Sequence, residues 1–309
     1  MNEKIVYIRP KSIFPDLSSN TIFGAICSAL KELYEGEPEE MIGKFKEKPP
    51  FLLSSAFPYT DGHLFFPMLI MHKKIPDEKL DKALEGAKEL KDVRYVHKDI
   101  FNGLINGKLD LIELMTEVEK YKIERGFLMD KEVRIGIETA EVPHNMLNRL
   151  SSESLYFFHS GKLYKNSGLF FLIRFYDKSY EEKIEAALNF LEDRGFGGKI
   201  SGGCGWFEHE IRDEKLIEEP EDGEILTTLS LYLPERDEFE SFKRSNKIWY
   251  VPVRIIGRHR DGFMKKGVVM LKEGSTFGDI GREFYGRIAE VLDKVVEYGF
   301  AFKVRIREV

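Results

Sequence analysis

Hydrophobic positions change their period several times along the chain, and each change predicts an element. Lys4 to Arg9 alternates weakly and carries the β-branched Ile5, Val6 and Ile8, which predicts an opening strand. The short polar cluster Ser18-Ser19-Asn20 can cap a helix whose apolar positions are Ile22, Ile26, Ala29, Leu30 and Leu33, with Gly36 closing it. Two apolar runs, Phe51 to Phe57 and Leu64 to Met71, are split by Asp61-Gly62, a turn dipeptide that predicts a hairpin. From Pro76 to about Arg125 the period becomes helical. Leu80, Leu84 and Ala87 make one stripe and Leu111, Leu114, Met115 and Val118 another, both expected in the core. A helical block after a hairpin reads as an insertion into an α+β unit.

Short β segments follow around Val133 to Ile137, Leu155 to His159 and Leu169 to Tyr176. Ile184, Ala187, Leu188 and Leu191 predict a helix from Tyr180 to Arg194 that ends in glycines. The acidic, proline-containing stretch Glu218 to Glu224 reads as a linker. Beyond it Leu226 to Leu233, Ile248 to Ile256, Val268 to Leu271 and Phe300 to Ile306 read as strands, while 282–296 satisfies both templates. Two tandem ferredoxin-like units account for this order in an α+β chain. The first spans 1–215, with a helical insertion at about 76–125, and the second spans 224–309.

The length of 309 residues suits two domains of ordinary size, and 42% hydrophobic with 13% aromatic residues excludes wholesale disorder. No apolar run approaches the ~20 residues of a membrane span, and Met1 to Arg9 lacks the layout of a signal peptide, so a cytoplasmic location is expected. Cys27 and Cys204 belong to no metal-ligand spacing, so no metal or other cofactor is expected. Charged residues reach 32% and glutamine is absent, a composition that points to a heat-adapted source.

The net charge of -6 argues against a nucleic-acid partner until its distribution is considered. Asp213 to Glu240 holds 11 acids and 2 bases, or -9, which leaves +3 for the rest. Lys243 to Lys266 holds 8 bases against Asp261. Patches of one sign, not totals, decide whether a phosphate chain is attracted. The acidic run is either a solvated face or a surface for a basic partner.

The most informative stretch is Arg194 to Phe207, where six of fourteen residues are glycine, directly after a helix and before a strand. Glycine permits positive φ and the close approach of another backbone, and successive exposed N–H groups make an anion-binding concavity. Lys199 and Ser201 add a charge and a hydroxyl. A phosphodiester backbone fits such a loop; so does a plain flexible turn, or a helix cap followed by a bulge. The order helix-then-loop and the missing Ser/Thr after Lys199 exclude a Walker loop, and the spacing is not a dinucleotide fingerprint.

Gly195-Phe196-Gly197-Gly198-Lys199-Ile200-Ser201-Gly202-Gly203-Cys204-Gly205-Trp206-Phe207 resembles the glycine-rich loop GxGG[KR]xSxGxGxF of RAMP proteins, the RRM-like subunits of CRISPR systems. Ser19 to Cys27 (SNTIFGAIC) is similar to their first helix, usually SDTLFGALC, with Asn20 in place of Asp. His144-Asn145-Met146-Leu147-Asn148-Arg149 resembles their HNxIDR segment, again with Asn for Asp at 148. Lys272-Glu273-Gly274-Ser275 and Tyr298-Gly299-Phe300-Ala301-Phe302 resemble the KEGS and YGYAF elements of one subgroup, the fourth Csm subunit of type III-A CRISPR effectors.

That resemblance implies two ferredoxin-like domains and no catalytic centre. It implies crRNA as partner, held by its repeat-derived 5′ tag. It also implies two protein partners, the large polymerase-like Csm subunit and the backbone RAMP subunit. Gly197, Gly198, Lys199, Ser201, Gly202, Gly203 and Gly205 are the expected RNA contacts. Arg149 pairs with a tag phosphate or with an internal acid, and His144 and Asn145 bond RNA or shape a turn. Arg258 and Arg260, with Lys265 and Lys266, bind phosphates, meet another subunit or are solvated. Glu273 and Ser275 are expected in a structural network, and Phe196 and Trp206 in the core. The rival readings are a metal-independent CRISPR repeat endoribonuclease, with His144 or His259 as base, and the equivalent subunit of a type III-B (Cmr) complex. About a hundred residues follow Gly205, which disfavours the nuclease.

Overall fold

The computed structural model describes residues 2–147, 154–197, 202–257 and 264–307, and the side chains among them except those of 144–147 and 154–159. β1 (Asn2–Pro10) forms where the alternation predicts it. α1 (Ser19–Leu33) buries Ile22, Ile26, Ala29 and Leu30 of the predicted stripe and adds Phe23, while Leu33 in its last turn is exposed. Gly36 does not close this helix. With φ 76° it opens an unexpected second one, α2 (Glu37–Glu47), whose first turn holds Pro38 and three glutamates, the residues that suit a helix start.

The run Phe51 to Phe57 is two strands, β2 (Phe51–Leu53) and β3 (Phe57–Thr60), separated where Ser54 Oγ accepts from the Leu172 N–H and the Ser55 N–H reaches Leu229. β3 and β4 (His63–Pro67) form the predicted hairpin. Asp61 (φ 44°) and Gly62 (φ 83°) both lie in the left-handed region that a two-residue turn requires.

The insertion is only partly helical. It runs α3 (Leu80–Leu90), β5 (Tyr95–His97), α4 (Lys98–Ile105), α5 (Leu111–Thr116), β6 (Lys122–Glu124), β7 (Phe127–Met129). Its strands extend the main sheet, in the order β4-β5-β7-β6. Of the second stripe Leu111, Leu114 and Val118 are buried as expected and Met115 is half-buried. The α3 stripe is not: Leu80 and Leu84 are 39% and 48% exposed, and Ala83, Gly86 and Leu90 face inward instead. Close helix approach decides this, because a Cβ on Gly86 would stand 1.8 Å from the Met115 carbonyl oxygen. No residue with a Cβ can stand at that point of the crossing, so glycine takes it and the small Ala83 lies one turn before it.

One histidine of this insertion, His97, meets His63 of β4. His97 Nδ1 accepts from the Asp99 N–H at the start of α4, so its Nε2 carries the proton and donates to His63 Nδ1 at 3.1 Å. Burial holds the His97 pKa below the ordinary 6.5, with Asp99 opposing and His63 reinforcing the shift. Between the depressed folded value and about 6.5 the unfolded chain binds the extra proton, so stability falls as pH drops through that window. Urea midpoints measured from pH 8 to 5 should decline for the parent chain, with a shallower decline for His97→Asn, which keeps a capping side chain but does not titrate there.

β8 (Ile137–Leu147) and β9 (Ser154–Tyr164) make a separate long ribbon. β10 (Ser167–Phe175) returns to the middle of the main sheet, α6 (Ser179–Arg194) follows with the predicted apolar positions buried, and β11 (Phe207–Arg212) closes the edge. The resulting order is β11-β1-β10-β3, all antiparallel. Every position of β10 is buried, so both faces of this sheet are covered. Phe101 of α4 stacks on Phe66, which meets Phe170, and the Arg174 guanidinium lies over the ring of Phe302.

The second half holds β12 (Ile225–Thr228), α7 (Arg236–Ser245), β13 (Ile248–Trp249), β14 (Pro252–Ile255), β15 (Val268–Leu271), β16 (Thr276–Gly278), β17 (Ala289–Leu292), β18 (Val295–Glu297) and β19 (Lys303–Ile306). Its sheet runs β13-β16-β12-β19, and β14–β15 and β17–β18 are separate hairpins. The ambiguous 282–296 region thus resolves into a hairpin. α7 was hidden in the acidic run; its signals are Glu235 and Glu238, whose carboxylate accepts the Glu235 N–H, and the buried Phe242.

The halves share one core. Tyr298, Phe300, Phe302, Val304 and Ile306 belong to the same buried cluster as Phe23, Phe45, Phe51 and Ile173. Tyr298 is fully buried, packs on Phe23 and Phe45, and accepts the Leu53 N–H at 3.0 Å.

Candidate nucleic-acid interface

The segment between β1 and α1, residues 11–18, is where two of the sequence-predicted pieces meet, the glycine loop and the β8–β9 ribbon. α6 ends at Gly195 (φ 85°), and the glycine loop then closes on itself at its base, the Phe196 N–H bonding the Gly205 carbonyl at 2.8 Å. The Gly205 N–H in turn bonds the Ile13 carbonyl at 2.9 Å. A Cβ on Gly205 (φ 81°) would lie 1.9 Å from the Phe196 oxygen, so only glycine fits there. Phe196 is buried against Phe14 and Phe207, which fixes the base as part of the core, as expected of that residue.

Above the base the loop is open. A Cβ on Gly203 (φ 80°) would meet nothing within 4 Å, and one on Gly197 (φ 103°) only Pro15, at 3.8 Å. Gly197, Gly202 and Gly203 are exposed. Gly198, Lys199 and Ser201 lie outside the described residues. A rigid base with exposed backbone on either side is the local build that an extended polyanion needs.

The β8–β9 ribbon is rooted at the same place. Phe14 and Lys162 exchange backbone hydrogen bonds, Lys162 Nζ pairs with Asp16 at 2.6 Å, and Gly161 leaves room for Ile13, whose Cγ2 would be 2.1 Å from a Cβ. His144 and Asn145 pair in backbone register with Phe157 and Tyr156 on this ribbon, His144 five residues on from Thr139, the partner of Lys162. At ~3.4 Å per residue that is roughly 17 Å along the strand. Arg149 lies outside the described residues.

The third piece, the β14–β15 connection, is closed at its base by the Lys265 N–H on Gly257, and Arg258 and Arg260 lie outside the described residues. Lys265 is not a free phosphate ligand. Its Nζ pairs at 2.9 Å with Glu297, a nearly buried carboxylate that also accepts from the Asn20 amide at 2.9 Å. The Asn at position 20, where the resembling proteins carry Asp, thus donates to an acid. Asn20→Asp would set a second carboxylate against Glu297 and should cost about 1–3 kcal/mol at neutral pH, recovered in part on acidification, as read from denaturation midpoints.

The Lys272-to-Ser275 element serves the seam between the halves. Ser55 Oγ accepts the Ser19 N–H and donates to Glu273, while Ser19 Oγ accepts the Leu231 N–H. Burial raises the Glu273 pKa, opposed by the Ser55 bond. Gly274 (φ 83°) bonds Thr228 through its N–H and Ile70 through its carbonyl, and Ser275 bonds Lys272. The structural network expected for Glu273 and Ser275 is what the fold contains.

Nine of the eleven acids in the run Asp213 to Glu240 are exposed, and several of them are ion-paired within the chain. Asp213 pairs with Lys4, Glu218 with Lys108, Asp222 with Arg307, Glu224 with Lys247 and Asp237 and Glu238 with Arg282. These are mostly surface pairs, and only Glu238 is buried; their partners Lys4, Lys108 and Arg307 lie far along the chain, where charge counting misses them. Among the described residues no group of three or more His, Cys, Asp or Glu is placed to hold a metal ion, and no helix is long and apolar enough to cross a membrane.

The sequence matches no family model. It is 27% identical over 247 residues to the CRISPR system Cms protein Csm4 of Thermococcus onnurineus (strain NA1), covering 75% of each chain. It is 25% identical to the protein of the same name from Methanocaldococcus jannaschii, covering 88% of this chain and 81% of that one. Among solved structures it resembles a chain in the crystal structure of the Csm3-Csm4 subcomplex of the type III-A CRISPR-Cas interference complex, with a TM-score of 0.71, 20% identity and coverage of 99% and 100%. A chain of the Csm1-Csm4 cassette in complex with AMPPNP gives 0.60, 23% identity and coverage of 100% and 99%. At these identities the structural likeness is one of fold.

Proposed function

We propose that this chain, a Csm4-like RAMP protein, is a non-catalytic RNA-binding subunit that bridges the Csm1 and Csm3 subunits of a type III-A CRISPR effector complex. In this reading it holds the repeat-derived 5′ tag of crRNA. The observation that carries it is that the glycine loop and the root of the β8–β9 ribbon both bond residues 11–16, while the β14–β15 connection is joined to Asn20 through Glu297. Gly197, Gly202, Gly203 and Gly205 offer exposed or tightly held backbone, and Gly198, Lys199 and Ser201 continue the loop. His144, Asn145, Arg149, Arg258 and Arg260 would flank the RNA.

Both halves are read as ferredoxin-like, with 1–215 and 224–309 as the units. The first sheet, taken as strands one to four in β1, β3, β10 and β11, has the order four-one-three-two. The second, taken as β12, β13, β16 and β19, has the same order. The second crossover carries α6 in the first half and the β17–β18 hairpin in the second.

The test is incubation of the full chain with labelled CRISPR repeat RNA, with and without divalent metal, reading mobility shift and product length in one gel. Retained, uncut RNA supports the reading; a discrete product lost in His144→Ala or His259→Ala would replace it with a nuclease.

A further inference from the structure

The sequence places Trp206 in the core beside Phe196, but the fold separates the two. Phe196 is buried, whereas Trp206 is 40% exposed, directly after the last glycine of the loop. Its backbone is fixed on both sides: the N–H donates to Ser12 Oγ at 3.0 Å and the carbonyl accepts the Lys11 N–H at 2.7 Å. Side chains alternate along a strand, and the next residue, Phe207, packs inward on Phe14 and Phe196. The indole therefore points away from that core, on a backbone held to the same 11–13 segment that carries Gly205.

A large aromatic side chain left exposed on a rigid mount, beside open glycine backbone, has the features of a stacking platform. We propose that Trp206 stacks on one unpaired nucleobase of the RNA whose phosphates the glycine loop receives; this rests on the RNA-binding reading above. A longer track of phosphates along the sheet edge is disfavoured. Next to Trp206 the cations of β1, β11 and the residue after β1 are already ion-paired, Lys11 with Glu208 at 2.7 Å and Arg9 and Arg212 with Glu210 at 2.7 Å. That strip is close to neutral, so the RNA crosses at Trp206 and a single base is engaged.

The chain holds two tryptophans, Trp206 and Trp249, so a Trp249→Phe background isolates the signal. In that background a single-stranded repeat oligonucleotide should quench the remaining fluorescence on binding. Trp206→Ala should weaken binding about five- to a hundredfold, with an unchanged melting temperature, and Trp206→Tyr should restore most of the loss. One abasic substitution in the oligonucleotide should abolish the difference between parent and Trp206→Ala, which locates the base. RNA bound with equal affinity by parent and Trp206→Ala, without quenching, would overturn the stacking role and leave the RNA-binding reading standing. If that variant instead fails to assemble with a protein subunit, Trp206 is a protein contact and the proposal is overturned. No RNA binding by the chain alone or in its complex would overturn both.

Discussion

Alanine at both Lys199 and Arg149 is expected to weaken binding of single-stranded repeat RNA by at least about a hundredfold at low salt. Each side chain offers a charge-assisted hydrogen bond to phosphate, worth roughly 1.5–3 kcal/mol. The more diagnostic readout is salt dependence. Each neutralised phosphate on a single strand contributes about 0.7 to the slope of log affinity against log salt, so losing two contacts should flatten that slope by about 1.4. A slope equal to that of the parent chain would mean that neither residue touches phosphate. The paired cations Lys11, Lys162 and Lys265 supply the control: each already has a carboxylate within 2.6 to 2.9 Å, so replacing one should change the slope little.

The second large effect concerns the fold. Tyr298→Ala should lower stability by about 3–5 kcal/mol, because a fully buried aromatic ring is deleted from a cluster that cannot collapse around the gap. Tyr298→Phe keeps the ring but leaves the Leu53 N–H unpaired in the interior, at about 1–3 kcal/mol. Urea unfolding of the parent and of both variants should follow one transition, since Tyr298 and Phe300 pack with Phe23 and Phe45 of the other half. Two resolved transitions would show that the halves unfold separately.

Where the sequence reading succeeded, a local rule and the tertiary demand agreed. α1, α6, the Asp61-Gly62 hairpin and β15 are of this kind: each has an unbroken period or a turn dipeptide whose backbone preference no neighbour contradicts. The failures have a common cause in partners far along the chain. Leu80 and Leu84 satisfy the helical template better than Ala83 and Gly86, yet the tight crossing with α5 selects the small residues. Gly36 fits a helix end as well as a helix start, and only the glutamates that follow favour the second use. The helix in the acidic run escaped notice because its charges drew attention to surface, while its buried Glu238 is satisfied by Tyr232, Arg282 and the Gly286 N–H, residues on separate segments.

The candidate interface was legible in its composition but not in its assembly. The glycines identify a backbone-exposing loop; nothing in their spacing says that Ile13 supports it or that Phe14 roots the ribbon beside it. Trp206 was misjudged for the opposite reason. An aromatic next to a strand is usually interior, and only the alternation set by Phe207 turns it outward.

The shared core has a geometric consequence. Two bodies on a flexible tether sample a cone of mutual orientations, and a third object gripping both must bear that entropy. Here Ser55, Glu273 and Tyr298 fill and bond the joint, so the chain behaves as a rigid bracket. Anything docked on one half stands at a set distance and angle from anything docked on the other. A glycine–serine spacer inserted at 218–224 should leave that geometry unchanged, because packed side chains and not the linker hold the two arms of the bracket together.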